Sequence, residues 1–109
     1  MLMQASRETV TELTAESGGV WWVHTTSGTL YIWNLDLGTV LRTPSVQSRR
    51  MRLDGEHREL AAVTRYPKVG EQFVAVFPHP DHPTRGVVTT SSIVTRIASG
   101  ALPTGQVTP

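Results

Sequence analysis

Hydrophobic positions along this chain fall into short runs, and the densest lies between residues 19 and 36. The segments 20–26 and 29–36 are rich in Val, Ile, Thr, Trp and Tyr, which suit a pleated strand. Ser27-Gly28 separates them, and a glycine there can supply the positive φ that a tight hairpin turn needs. The pattern predicts a β-hairpin with a two-residue turn, and this hairpin contains all three tryptophans of the chain.

The predicted turn also predicts a register for the hairpin. A two-residue turn places Trp22 opposite Trp33 and His24 opposite Tyr31. Side chains alternate between the two faces of a strand, so these four residues share one face with Val20 and Leu35. The other predicted face carries Trp21, Val23, Leu30 and Ile32. Because both faces are apolar, we expect either a sheet wrapped into a small barrel with its outside covered, or a face that is used for docking.

The rest of the chain consists of short apolar runs separated by turn residues, with no strong amphipathic helix. Spacings of about 8–12 residues between turns are typical of a small barrel or sandwich. Further strands are predicted at 39–43, 51–53, 57–65, 72–77 and 87–97, the last bent at Ser91-Ser92, and segment 78–86 is irregular because it contains three prolines. The predicted fold is all-β, a small single-domain β-barrel, SH3-like, with six or seven short antiparallel strands.

The length of 109 residues favours one domain. We divide it into an N-terminal arm at 1–18, a β-barrel domain at 19–98 and a disordered tail at 99–109. In the arm, segment 7–17 is open between a strand and a short helix, because Thr9 and Glu12 have the spacing of a capping box while the threonines favour a strand. The tail has two Pro, two Gly and little to bury.

The amino-acid composition of the chain limits the cellular compartments that we expect for the protein. The chain has no cysteine, which excludes disulfides and thiolate metal sites and fits a reducing cytoplasm. No run approaches the roughly 18 apolar residues of a membrane helix, and no signal-peptide pattern follows Met1. We therefore predict a cytoplasmic protein without a membrane partner.

A series of short motifs runs from about residue 19 to residue 97. Its members are Trp22, His24, Thr26, Ser27, Gly28, Thr29, Tyr31, Leu35, Asp36, Arg42, Pro44, Asp54, Gly55, Val69, Gly70, Thr90, Ser91 and Ile97. In this order the chain resembles a group of short β-rich proteins from actinobacteria and their phages. The resemblance implies such a source, with the host cytoplasm as location if a phage encodes the protein. It supplies no catalytic residues.

The aromatic cluster is the first candidate site. Trp and Tyr are enriched at interface hot spots because they bury a large area at a low entropic cost. The functional interpretation is that Trp22, His24, Tyr31 and Trp33 bind a protein partner, either a host factor or a second copy in a homodimer. The structural interpretation is that the aromatic residues build the core. We predict a protein-binding module.

A basic segment offers an alternative from another class. Between Arg42 and Lys68 there are seven basic residues and three acidic ones, and a basic groove beside aromatic rings is how single strands are held. Arg49, Arg50, Arg52 and Arg58 would then contact phosphates of a nucleic acid. The net charge of only +1 weakens this alternative. A structural component of a virion is a further alternative, by analogy of fold alone.

Signs of catalysis or metal binding are weak. His79, Asp81 and His82 share one loop, but zinc usually takes three or four protein ligands, and His24 and His57 are distant in sequence. The chain contains no G-x-S-x-G elbow, no P-loop and no G-x-G-x-x-G motif. We predict no metal, no cofactor and no enzymatic activity.

Overall fold

Two antiparallel sheets make up residues 8–45, 54–82 and 84–101, which are the part of the chain that the computed structural model describes. The strands are β1 (Thr9–Val10), β2 (Val20–Thr25), β3 (Leu30–Asn34), β4 (Thr39–Thr43), β5 (His57–Glu59), β6 (Ala62–Arg65), β7 (Val74–Pro78), β8 (Gly86–Thr90) and β9 (Val94–Ser99). The larger sheet has the order β1-β9-β2-β3-β4-β5 and the smaller one the order β6-β7-β8. The predicted all-β class is confirmed, and none of these residues is helical.

The described part has nine strands instead of the predicted six or seven, because two predicted strands are each divided and the N-terminal arm contributes β1. Segment 57–65 gives β5 and β6, which belong to different sheets. The chain crosses at Leu60 and Ala61, whose N–H groups donate to the Gly38 carbonyl in one sheet and the Val76 carbonyl in the other, both at 2.8 Å. Segment 87–97 likewise divides into β8 and β9. The described strands form two sheets and no closed barrel.

Both predicted chain ends contribute to the larger sheet. The N-terminal arm is a strand at β1, and the Leu13 side chain beyond it is buried in the core. Ser99 belongs to β9, although we placed it in the tail. Residues 1–7, 46–53, 83 and 102–109 lie outside the described part, together with the strand predicted at 51–53 and most of the predicted tail.

The predicted hairpin exists, but its predicted register is wrong by one residue. Trp22 pairs with Ile32, and Trp33 pairs with Trp21. The cause is a longer loop, in which the Gly28 N–H donates to the Thr25 carbonyl at 2.9 Å and Gly28 has φ of 86°. A three-residue connection of this kind contains a turn followed by a left-handed glycine. One extra loop residue shifts the pairing by one position, so the residues predicted to share a face lie on opposite faces.

The core lies between the two sheets. The larger sheet contributes Trp21, Val23, Tyr31, Trp33 and Val40, and the smaller one contributes Ala75 and Phe77, with Phe73 directly before β7. The Phe73 ring lies edge-on to the rings of Tyr31 and Trp33, with centroid distances of 4.7 and 5.0 Å. Such aromatic pairs add about 0.5–1.5 kcal/mol each beyond the buried area.

Candidate protein-binding surface

The four residues predicted to bind a partner do not form one surface. The side chain of Trp33 is 0% exposed and that of Tyr31 is buried beside it, both against the smaller sheet. Trp22 and His24 lie on the opposite face of the larger sheet and are half-buried. The prediction of a shared face is therefore wrong, because the one-residue shift moves Tyr31 and Trp33 into the core.

The outer face of the larger sheet, on which Trp22 and His24 lie, is itself largely buried. Ile32 and Ala98 pair with Trp22 on either side, and both are buried. The Trp22 Nε1–H donates to the Ala101 carbonyl at 2.9 Å. A Cβ atom added at Gly100 would lie 2.6 Å from the Trp22 ring, so the glycine backbone packs directly on the indole. Around Trp22 this face is therefore covered by residues 100 and 101.

The basic segment begins with a residue that is already paired. The Arg42 Nη1 atom donates to both carboxylate oxygens of Asp54, at 2.7 and 2.9 Å. Burial disfavours the charged guanidinium, but the hydrogen bonds to Asp54 and Tyr31 outweigh that effect, and the pKa of Arg42 is raised. Arg42 therefore fastens the 54–55 turn to the larger sheet.

The other described basic side chains of this segment also have partners. The Arg58 guanidinium carbon lies 4.4 Å from the centroid of the Phe77 ring, a cation–π contact, and burial lowers the pKa of Arg58. Arg65 and Lys68 each lie 4.0 Å from a Glu71 carboxylate oxygen. The remaining predicted nucleic-acid residues, Arg49, Arg50 and Arg52, lie outside the described part, and the nucleic-acid alternative stays a prediction.

Hydroxyl groups connect the tip of the β2–β3 hairpin to the segment between β8 and β9. The Ser27 and Ser92 Oγ atoms are 3.1 Å apart, and the Ser27 N–H donates to the Ser92 Oγ. The Ser91 Oγ donates to the Ser92 carbonyl at 2.7 Å and accepts from the Phe73 N–H at 2.9 Å. These hydroxyls bond to each other and to backbone groups, an arrangement that fixes loops between the two sheets.

The histidine loop joins β7 to β8. The rings of His79 and His82 have centroids 5.0 Å apart, and the Asp81 N–H donates to the His79 Nδ1 at 3.0 Å. Within the described residues no group of three or more His, Cys, Asp or Glu side chains could hold a metal ion. Nor does this part of the chain contain a helix long and apolar enough to cross a membrane.

The outer surface of the smaller sheet exposes apolar side chains. Ala75 and Phe77 of β7 point into the core, so Val74 and Val76 point outward and are half-buried. Val88 pairs with Val76 and is 65% exposed. We call Val74, Val76 and Val88 the valine face.

Among the described strands, β8 forms one edge of the smaller sheet, with no described strand beyond it. The His79 N–H donates to the Arg85 carbonyl and the Ser91 N–H to the Phe73 carbonyl, which marks these two pairs of the β7–β8 ladder as hydrogen-bonded. Such pairs alternate with non-hydrogen-bonded ones in an antiparallel ladder, so Val87 and Thr89 bond to β7. The N–H and C=O groups of the intervening residues point away from β7. These residues are Gly86, Val88 and Thr90, all exposed.

The three other described sheet edges are protected against strand addition. β1 has two residues and β5 has three, His57, Arg58 and Glu59, of which the last two are charged. β6 contains a register irregularity before the exposed Arg65, and the chain beyond it forms a bridge between Lys68 and Glu12. Short length, charge and bulges are the usual devices that prevent edge pairing. β8 is uncharged, regular and five residues long, and it has none of them.

Sequence reasoning did not identify this surface, although a signal was present. In 73–77 every residue is apolar, so one set of side chains had to point away from the core. The adjacent valines Val87 and Val88 repeat this signal in β8. The edge position itself had no sequence signal, since it depends on strand order.

Comparisons with known proteins add no information about this surface. The chain matches no protein-family model, and comparisons with curated proteins and with solved structures find no significant match.

Proposed function

We propose that this protein is a non-catalytic protein-binding module whose partner adds a β-strand to the edge of β8. The observation that carries the proposal is the open edge of β8 beside the valine face. The backbone N–H and C=O groups of Gly86, Val88 and Thr90 point away from β7 and form a regular row of hydrogen-bond donors and acceptors. Only another extended polypeptide has groups at the same spacing.

In strand addition, the backbone and the side chains have different roles in recognition. Main-chain hydrogen bonds supply affinity, and pockets or patches for alternate side chains supply specificity. Here the outward residues of an added strand would extend the valine face beyond Val88. An apolar partner residue opposite Val88 is therefore favoured, because it removes the Val88 side chain from water.

The fold that we propose for the module is an SH3-like barrel. Two connections support it: the chain bends from one sheet into the other at Leu60-Ala61, and the bridge between Glu12 and Lys68 links the opposite sides. Around that bridge the Leu13 N–H donates to the Pro67 carbonyl and the Val69 N–H to the Thr11 carbonyl.

A capture experiment with matched variants tests the proposed function. Tagged wild-type protein, Val88→Lys and Leu37→Lys are incubated with lysate of the source cells. Leu37 is a suitable control because it is apolar, 73% exposed and located in the turn between β3 and β4. We expect a captured protein to be shared by the wild type and Leu37→Lys and lost from Val88→Lys. Equal capture by all three proteins would contradict binding at β8.

A further inference from the structure

We infer that the partner at the β8 edge is a second copy of this chain, which pairs antiparallel about a two-fold axis through Val88. This inference rests on the proposed function, because it uses the same edge. Its basis is that the β8 edge is complementary to a second copy of the same edge. The backbone groups, the charges and the side-chain volumes each allow the two copies to pair.

The backbone groups of β8 match their own two-fold copy. The two Val88 residues lie opposite each other. Gly86 of each copy then lies opposite Thr90 of the other copy. All these residues have outward N–H and C=O groups, so each opposed pair is a hydrogen-bonded pair with Cα atoms about 5.5 Å apart. Three pairs give six intermolecular hydrogen bonds and join two three-stranded sheets into one of six strands.

Charge permits this pairing. A two-fold axis places the central residue opposite itself, and that residue is the uncharged Val88. Between Thr84 and Ile93 the only charged residue is Arg85, which falls opposite Ser91 of the second copy. No like charges therefore face each other across the axis, whereas a like-charged pair directly opposite would be destabilising.

Side-chain volumes also permit it. Gly86 has no side chain beneath Val76, and a Cβ atom there would lie 2.7 Å from the Val76 Cγ1 atom. Because Val76 covers that position, Thr90 of the second copy would lie beside a Val76 methyl group and meet no side chain of residue 86 itself. At the centre the two Val88 side chains lie side by side on the outer face, each next to its own Val76, and both lose exposure to water.

The interface is limited to one short strand per copy. Contacts through one strand per copy are smaller than a standard stable interface, so we expect a reversible dimer that dissociates on dilution. Light scattering on the full chain across a dilution series measures this dissociation. The molar mass should approach twice 12.0 kDa at high concentration and fall toward 12.0 kDa on dilution.

Opposite charges at residue 88 test the position of the axis. Val88→Lys alone and Val88→Glu alone should each remain at 12.0 kDa, because each places like charges opposite each other. An equimolar mixture should recover the doubled mass through a Lys–Glu pair, and Leu37→Lys should behave as the wild type. A dimer that persists in Val88→Lys, or a mixture that stays monomeric while the single variants keep the wild-type circular dichroism, would overturn the inference.

Hydrogen exchange of the wild type keeps the inference testable if a variant fails to fold. The Val88 and Thr90 amides should gain protection as the protein concentration rises, while the Thr89 amide, bonded to β7, stays protected throughout. A wild type that is monomeric at every concentration, with fast exchange at Val88, would overturn self-pairing. The proposed function would survive that result if the capture experiment still showed a partner that depends on Val88.

Discussion

The two sheets of this protein differ in how many of their faces they bury. The larger sheet is buried on both: Val23 and Trp33 lie in the core, and Ile32 and Leu41 are buried on the outer face. In the smaller sheet Ala75 and Phe77 are buried on the inner face, while the valine face is only half-buried at Val74 and Val76 and exposed at Val88. An exposed apolar surface beside an open strand edge is characteristic of an interaction site.

This difference could not be inferred from hydrophobicity alone. β3 (LYIWN) and β7 (VAVFP) are both apolar on both faces, yet the outer face of one is buried and that of the other is half-exposed. The deciding factor is the position of each strand and what packs outside it. The aromatic hairpin therefore belongs to the stability of the protein, and the less conspicuous valine strands carry the proposed function.

The largest effect on stability is expected from Trp33→Ala, in the buried inner face of the larger sheet. Replacement of a fully buried Trp in a core is expected to lower the free energy of unfolding by about 3–5 kcal/mol. Trp33→Phe should cost less, because it keeps aromatic contact with Phe73 and removes an Nε1–H that has no acceptor among the described residues. Urea unfolding monitored by circular dichroism measures both. A loss for Trp33→Ala of only about 0.5 kcal/mol, as for a surface residue, would contradict the core position.

A second pair of variants compares the outer faces directly. Ile32→Ala should lower the free energy of unfolding by about 2–5 kcal/mol, because Ile32 is buried on the outer face of the larger sheet. Val76→Ala on the valine face should cost about 1 kcal/mol, since its methyl groups are only half-buried. Both values come from urea unfolding at a protein concentration that keeps the protein monomeric. Equal losses would mean that both sheets are covered alike.

Local sequence signals predicted much of the fold. The hairpin at 20–36 and the strand at Thr39–Thr43 follow from β-branched and aromatic runs, and the all-β class follows from their number. The register of the hairpin failed, because Ser27-Gly28 is compatible with a two-residue or a three-residue loop and a single residue inverts the faces. The division of segment 57–65 between two sheets was not readable either, since both halves have the pattern of a strand.

The candidate site depended on information that is not local. Trp22, His24, Tyr31 and Trp33 were grouped by the mistaken register. β8 is an edge only because β9, the next strand along the chain, joins the other sheet beside β2. A sequence reports the apolar character of Val88 but not which of the described strands lie beside β8, so strand order had to be known before the edge could be recognised.

The smallest effect concerns the junction between the sheets, at the hairpin tip. Gly28 and Gly38 both have positive φ, at 86° and 69°, so alanine at either position should cost about 1–2 kcal/mol in backbone strain. Only at Gly28 does an added Cβ meet another side chain, the Ser45 Oγ at 2.7 Å, whereas nothing lies within 4 Å at Gly38.

Gly28→Ala must therefore also displace the Ser45 hydroxyl, which donates to the Ser27 carbonyl at 2.9 Å. We expect Gly28→Ala to be less stable than Gly38→Ala by about 0.5–1.5 kcal/mol, the net contribution of one hydrogen bond. The two urea midpoints measure this difference. The Ser27 and Ser92 contact adjoins the same turn, so Gly28→Ala should also speed amide exchange at Ser27, whose N–H donates to the Ser92 Oγ. Equal stability with unchanged exchange at Ser27 would show that the hairpin tip tolerates the displacement and contributes little to the contact between the sheets.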